Sequence, residues 1–196
     1  VKRLTTVLLL ILLAGCSGID LKQYEGNMPE LDLFAYFSGH TTGYGLVLNR
    51  KGELTRQFKV DIVGEINGAG ELVLKENFDW SDGEQSQRTW ILRQADQHSY
   101  SGTAEDVVGS AEGTLYGNVL NWHYVVNLKV DDSTWKIAFD DWMFLVSEQL
   151  LLNKATLSKF GFKVGEVIIV FQKSTTQPAH TPTQIPAPMP AQMPAT

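Results

Sequence analysis

The chain has 196 residues, a net charge of −6 and a single cysteine, Cys16. An acidic balance argues against a nucleic-acid-binding face, which would be basic. One thiol excludes an intramolecular disulfide, so an exported domain would have to fold on its hydrophobic core alone.

The first residues, Val1-Lys2-Arg3, are basic, and residues 4–12 are apolar and uncharged. That run is too short for a bilayer span, which needs roughly 20 apolar residues. A basic start, a short apolar stretch and small residues at its end read as a secretory signal, residues 1–15. Leu13-Ala14-Gly15-Cys16 resembles a bacterial lipobox. The resemblance implies a diacylglycerol on the Cys16 thiol, cleavage before it and acylation of the new amine. Two acyl chains already hold a protein stably on a membrane. Ser17 after the cysteine favours the periplasmic face of the outer membrane over inner-membrane retention. Loss of Lys2 and Arg3 would take the net charge from −6 to −8, so the membrane attachment expected is covalent rather than electrostatic.

Residues 16–36 read as a lipidated N-terminus and linker. Within and just beyond it, "ELDLFAYF" (30–37) predicts a turn or two of helix, placed to plug one end of a barrel. Residues 37–173 read as an antiparallel β-meander of roughly ten short strands. Apolar and polar residues alternate in "RQFKVDIV" (56–63) and in "NWHYVVNLKV" (121–130), where Trp122, Tyr124, Val126, Leu128 and Val130 share a face. Turn signals recur between the strands, which predicts a mainly β fold: an up-and-down, lipocalin-like barrel or a strongly curled sheet with little helix. Residues 174–196 have no charged side chain and most of the prolines. They read as a disordered tail, because such a segment cannot bury enough apolar area to offset its ordering entropy.

Strand register follows from asking which turn brings apolar faces together. A three-residue loop at Ser81-Asp82-Gly83 sets Trp80 opposite Glu84, Phe78 opposite Ser86, Leu74 opposite Trp90, Leu72 opposite Leu92 and Glu76 opposite Arg88. A loop at Arg50-Lys51-Gly52 predicts Leu48 with Leu54, Leu46 with Arg56 and Tyr44 with Phe58. A connection at Asn67-Gly68-Ala69 predicts Ile62 with Leu74 and Val60 with Glu76. A turn at Gly117-Asn118 pairs Leu115 with Leu120 and sets Gly113, Ala111 and Gly109 against Trp122, Tyr124 and Val126. Small facing large is either plain complementary packing or room for an acyl chain.

Arg56, Glu76 and Arg88 therefore fall on a face otherwise made of Leu, Phe and Trp. Unpaired buried charge is very costly. Either Glu76 closes an internal ion pair with Arg88 and Arg56, or an arginine is left to hold a ligand's carboxylate or phosphate. The candidate ligand-binding residues are Arg56, Glu76, Arg88, Trp90, Trp122 and Tyr124.

The segments "DGEQSQRTW", "YSGTAEDVVGSAEGTLYGN", "FDDWMF" and "LNKATLSKFGFKVGEVIIVFQK", with the lipobox, together resemble the DUF 3833 family of Gram-negative lipoproteins of unknown function. The likeness runs from about Phe37 to Lys173. It implies a membrane-tethered, lipocalin-like domain and brings no catalytic residues with it.

The four histidines, His40, His98, His123 and His180, show no metal-ligand spacing, and no nucleophile or phosphate-loop motif is present. No metal and no cofactor are expected. In Asp140-Asp141 at most one carboxylate can face a given site, because neighbouring strand residues point to opposite faces. Glu105-Asp106 reads as a solvated loop pair. The leading expectation is a non-catalytic binder of a fatty acyl or other amphipathic ligand in the periplasm. The alternatives are an envelope scaffold that binds a protein, and a lipid-modifying enzyme using Glu76 or Asp141.

Overall fold

In a computed structural model, which describes residues 18–130 and 133–174, ten antiparallel strands close into a barrel. They are β1 (Gly39–Asn49), β2 (Leu54–Ile66), β3 (Leu72–Trp80), β4 (Gln85–Gln94), β5 (Ser99–Thr103), β6 (Ala111–Tyr116), β7 (Val119–Val130), β8 (Ser133–Ser147), β9 (Leu150–Lys159) and β10 (Phe162–Lys173). Each strand pairs with its sequence neighbours, and β1 pairs with β10 to complete the ring. The mainly β barrel anticipated from alternation and turn spacing is the fold observed. The lipobox, the signal segment, His180 and nearly all of the proline-rich tail lie outside the described residues.

The part of the expected linker that is described does not lie free. A 3-10 turn, Leu21–Tyr24, sits against β6 and β7, with Tyr24 edge-on to Phe144. Helix α1, Leu33–Phe37, begins on Asp32, whose side chain accepts from the amide of Ala35. It closes one end of the barrel. Leu33, Tyr36 and Phe37 are buried there, and Lys173 donates to the carbonyls of Ala35, Tyr36 and Ser38. These are the unsatisfied carbonyls that a helix C-terminus leaves. The Tyr36 hydroxyl lies within hydrogen-bond distance of the carbonyls of Gln149 (3.0 Å) and Phe171 (3.1 Å).

Gly64 makes this plug possible. A Cβ there would run into the backbone carbonyl of Phe37. Gly64→Ala should therefore displace α1 and cost on the order of 1–3 kcal/mol, as overpacking does, read as a lower urea midpoint. An unchanged midpoint would mean that α1 is not seated against β2.

The β3–β4 register is the one expected, including Leu74 with Trp90 and Glu76 with Arg88. Two others need correction. In β1–β2, Leu48 does face Leu54, but a bulge between Val47 and Leu48 then shifts the ladder. Val47 faces Arg56 and Gly45 faces Phe58, so Gly43, Gly45 and Val47 point inward, while Tyr44 and Leu46 are exposed. The physical reason is space: a Cβ on Gly45 would strike the ring of Phe58, and one on Gly43 would lie 2.7 Å from Val60. In β2–β3 the connection is 67–71, not three residues, so Ile62 faces Glu76 and Val60 faces Phe78.

Both longer loops follow one pattern. In Asn49-Arg50-Lys51-Gly52-Glu53 and Asn67-Gly68-Ala69-Gly70-Glu71 the asparagine side chain accepts from two loop amides and donates to the glutamate. Glycine takes the positive φ in each, +84° at Gly52 and +78° at Gly70.

The β6–β7 hairpin pairs Leu115 with Leu120 and Gly113 with Trp122 as expected. Val107, not Gly109, then meets Val126. Strand β5 is too short to cover the whole of β4, and the connection from Ala104 to Ser110 fills the gap against β7.

Candidate functional site

A cavity of about 610 Å³ occupies the barrel, within the range of small-molecule sites. Residues of alternating parity on each strand line it, which gives it three levels. Toward α1, Leu74, Trp90, Leu92 and Trp122 form a floor, each at most 7% exposed. Toward the opposite end, Phe78, Trp80, Leu128, Phe139, Val167 and Ile169 form an apolar collar that is only partly buried, because it borders the open space. Arg56, Glu84 and Lys129 lie beside that collar.

Between floor and collar runs a polar belt: Glu76 from β3, Arg88 from β4, Asp106 from the 104–110 connection, Tyr124 from β7, Asp141 from β8 and Asn153 from β9. All six residues singled out in the sequence, Arg56, Glu76, Arg88, Trp90, Trp122 and Tyr124, line the cavity. Their pairing differs from the expected triad. Arg56 does not reach Glu76; it binds Asp82 (2.7 Å) and Glu84 (2.9 Å) and stacks over Trp80 at 4.0 Å. Arg88 faces Glu76 across the β3–β4 ladder, but its ion-pair contact is with Asp106.

Asp106 is therefore not the solvated loop residue that its sequence context suggests. Its connection is pulled in where β5 stops, with Asn127 donating its amide to the Asp106 carbonyl. Asp141 is the inward member of its pair, 4% exposed, accepting from the Tyr124 hydroxyl (3.2 Å) and from Asn153 (3.5 Å). Asp140 points outward to Asn121 and His123. Asn153 carries no sequence signal beyond its place in an otherwise apolar alternation.

Burial raises the Glu76 carboxyl to about 7; Arg88 opposes this, and Asp106 and Asp141 add to it. Its remaining accessible surface faces the cavity, so it is enclosed although not sealed. Burial likewise raises Asp141 to about 7, against the hydrogen bonds from Tyr124 and Asn153 that favour its charge. Burial and the Asp141 charge also push Tyr124 well up. Burial thus biases both carboxyls toward their protonated forms.

No group of three or more potential metal ligands occurs among the described residues. His98 is stacked on Tyr116 at 4.0 Å, away from the belt.

The family model for DUF3833, a protein of unknown function, matches residues 10–173. The chain belongs to this family. None of the curated proteins matches it. Among solved structures, this DUF3833 barrel is similar to an S-type phycobiliprotein lyase from Guillardia theta. The TM-score is 0.58 at 11% identity, covering 81% of this chain and 100% of that one. It is also similar to a protein of unknown function of the DUF3598 family from Nostoc punctiforme, with a TM-score of 0.55 at 13% identity. That match covers 81% of this chain and 53% of the other. At such identities the likeness is one of fold.

Proposed function

We propose that the chain is a lipoprotein, anchored through Cys16 to the periplasmic face of the outer membrane, whose barrel binds a fatty acyl or other amphipathic ligand. The observation that carries the binding reading is the cavity itself: an apolar collar leading to a polar belt that the protein does not fill. The floor is packed, so the free space lies at the belt and the collar. A ligand would enter polar end first, with its chain along Phe78, Trp80 and Phe139. The structural neighbours support a small-molecule barrel only in that one of them is a phycobiliprotein lyase. The anchor rests on the sequence Leu13-Ala14-Gly15-Cys16-Ser17.

Native mass spectrometry of protein taken from membranes tests the binding reading. A co-purifying lipid, or uptake of added long-chain amphiphiles, is expected; neither appearing would sink it. Cys16→Ser should move the protein from the membrane to the soluble fraction and abolish the acylated N-terminal peptide. Retention on the membrane would remove the anchor from the proposal.

Two carboxyls titrating near 7 also favour a second reading, acid–base chemistry on a bound lipid. It requires that a bound amphiphile be recovered chemically altered, and that Glu76→Gln stop this with the fold intact.

A further inference from the structure

We infer that the ligand's polar end is a hydrogen-bond donor carrying positive charge, an amine rather than a carboxylate or phosphate; this rests on the ligand-binding reading above. The belt holds three carboxyl groups, Glu76, Asp106 and Asp141, against one guanidinium. One nitrogen of that guanidinium is in contact with Asp106, and the residue lies across the ladder from Glu76. Arg56, the other arginine at the cavity, is held between Asp82 and Glu84. An anionic head group would find in the belt only the Arg88 cation, already paired with Asp106, and would face surplus negative charge there; Lys129 lies nearer the mouth, beside the collar.

The unsatisfied atoms point the same way. Asp106 Oδ1, Asp141 Oδ1 and Asn153 Oδ1 are buried with no hydrogen-bond partner. Asp141 and Asn153 are 4% and 3% exposed, and both line the cavity. With Asp141 ionised, Asn153 Nδ2 donates to it at 3.5 Å, and a flipped amide would set oxygen against oxygen. These three belt atoms are acceptors when the carboxyls are ionised; the other buried unpartnered atom on a cavity-lining residue, Arg56 Nε nearer the mouth, is a donor. A buried acceptor without a donor is costly, and a carboxylate ligand brings acceptors only. A primary ammonium brings three donors and no acceptor. The Tyr124 hydroxyl gives its proton to Asp141 and cannot supply a second.

The charge balance also fixes a pH dependence. The groups facing the site are Glu76, Arg88, Asp106, Tyr124 and Asp141 in the belt, with Arg56, Glu84 and Lys129 nearer the mouth. An ammonium favours the ionised forms of Glu76 and Asp141, so its binding releases protons and strengthens from pH 6 to pH 8. A carboxylate would behave in the opposite sense.

The test compares three probes with one chain length on the full delipidated protein: dodecylamine, dodecanol and dodecanoate. Binding is read from the tryptophan fluorescence of the cavity. Dodecylamine should bind about tenfold or more tighter than dodecanoate at pH 8, with the gap narrowing at pH 6. Asp141→Asn and Glu76→Gln should each shrink the gap. Dodecanoate binding as tightly as the amine overturns the inference and leaves the ligand-binding reading standing. Binding of none of the three fails that reading itself. An amine preference that survives both substitutions is adsorption to an acidic surface and also overturns the inference. Should one variant not fold, the comparison of probes on the unaltered chain still decides.

Discussion

Arg88→Leu should lower folding stability by about 3–5 kcal/mol at pH 8, the range seen when one partner of a buried charge pair is removed. Arg88 is the single cation among Glu76, Asp106 and Asp141, and leucine would leave their charges uncompensated in the barrel. The penalty should be smaller at pH 5, where Glu76 and Asp141, both raised to about 7, hold their protons. Urea unfolding at the two pH values checks this; an equal loss at both would mean that the charges do not act as a set. The substitution also unties the 104–110 connection. Hydrogen exchange should therefore quicken at the amides of Val108 and Asn127, which bond to Val125 and Asp106.

Asp141→Asn should do the reverse. A carboxyl raised in the folded state keeps a proton that the unfolded chain has already lost, so the native protein loses stability as pH rises. For Asp141 the window runs from its ordinary value of 3.8 to about 7. The loss across that window is about 4 kcal/mol at 1.36 kcal/mol per pH unit. Asparagine does not ionise, so the variant should gain on the wild type by about that amount between pH 4 and pH 8. Parallel stability profiles for the two proteins would show that Asp141 is not held as neutral as its surroundings imply.

Legibility in the sequence tracks how local the deciding interaction is. The β3–β4 hairpin can be read because Gly83 permits one turn and that turn alone brings Leu74 to Trp90. The same turn brings Glu76 and Arg88 together. Strand β1 defeats this logic because a bulge inverts its faces, and the bulge answers the bulk of Phe58 on another strand. Glycines at 43 and 45, alternating, are the available sign of which face lies inward. The repeated asparagine-to-glycine-glutamate loops are likewise a sign of a five-residue connection at 67–71.

For the site, the face carrying the charges is legible and their partners are not. Asp106 and Asp82 come from loops, and where a loop lies depends on strand lengths around the ring. Asp141 and Asn153 enter through parity on β8 and β9, whose inward faces can be assigned only once the barrel is closed. The result is a site whose apolar walls are written strand by strand, and whose charge balance exists only in the assembled ring.

The β1–β10 ladder has a consequence for how this molecule comes to exist. It joins Thr41 to Lys173 and Asn49 to Gly165, residues more than a hundred positions apart. A chain made from its N-terminus must therefore complete β10 before β1 has its second neighbour. Until then both ends of the growing sheet present rows of unpaired amides and carbonyls, the template on which chains join edge to edge. Non-local closure of this kind is slow compared with hairpin formation. The interval before the last strand arrives is thus the one in which these edges are most exposed to edge-to-edge aggregation.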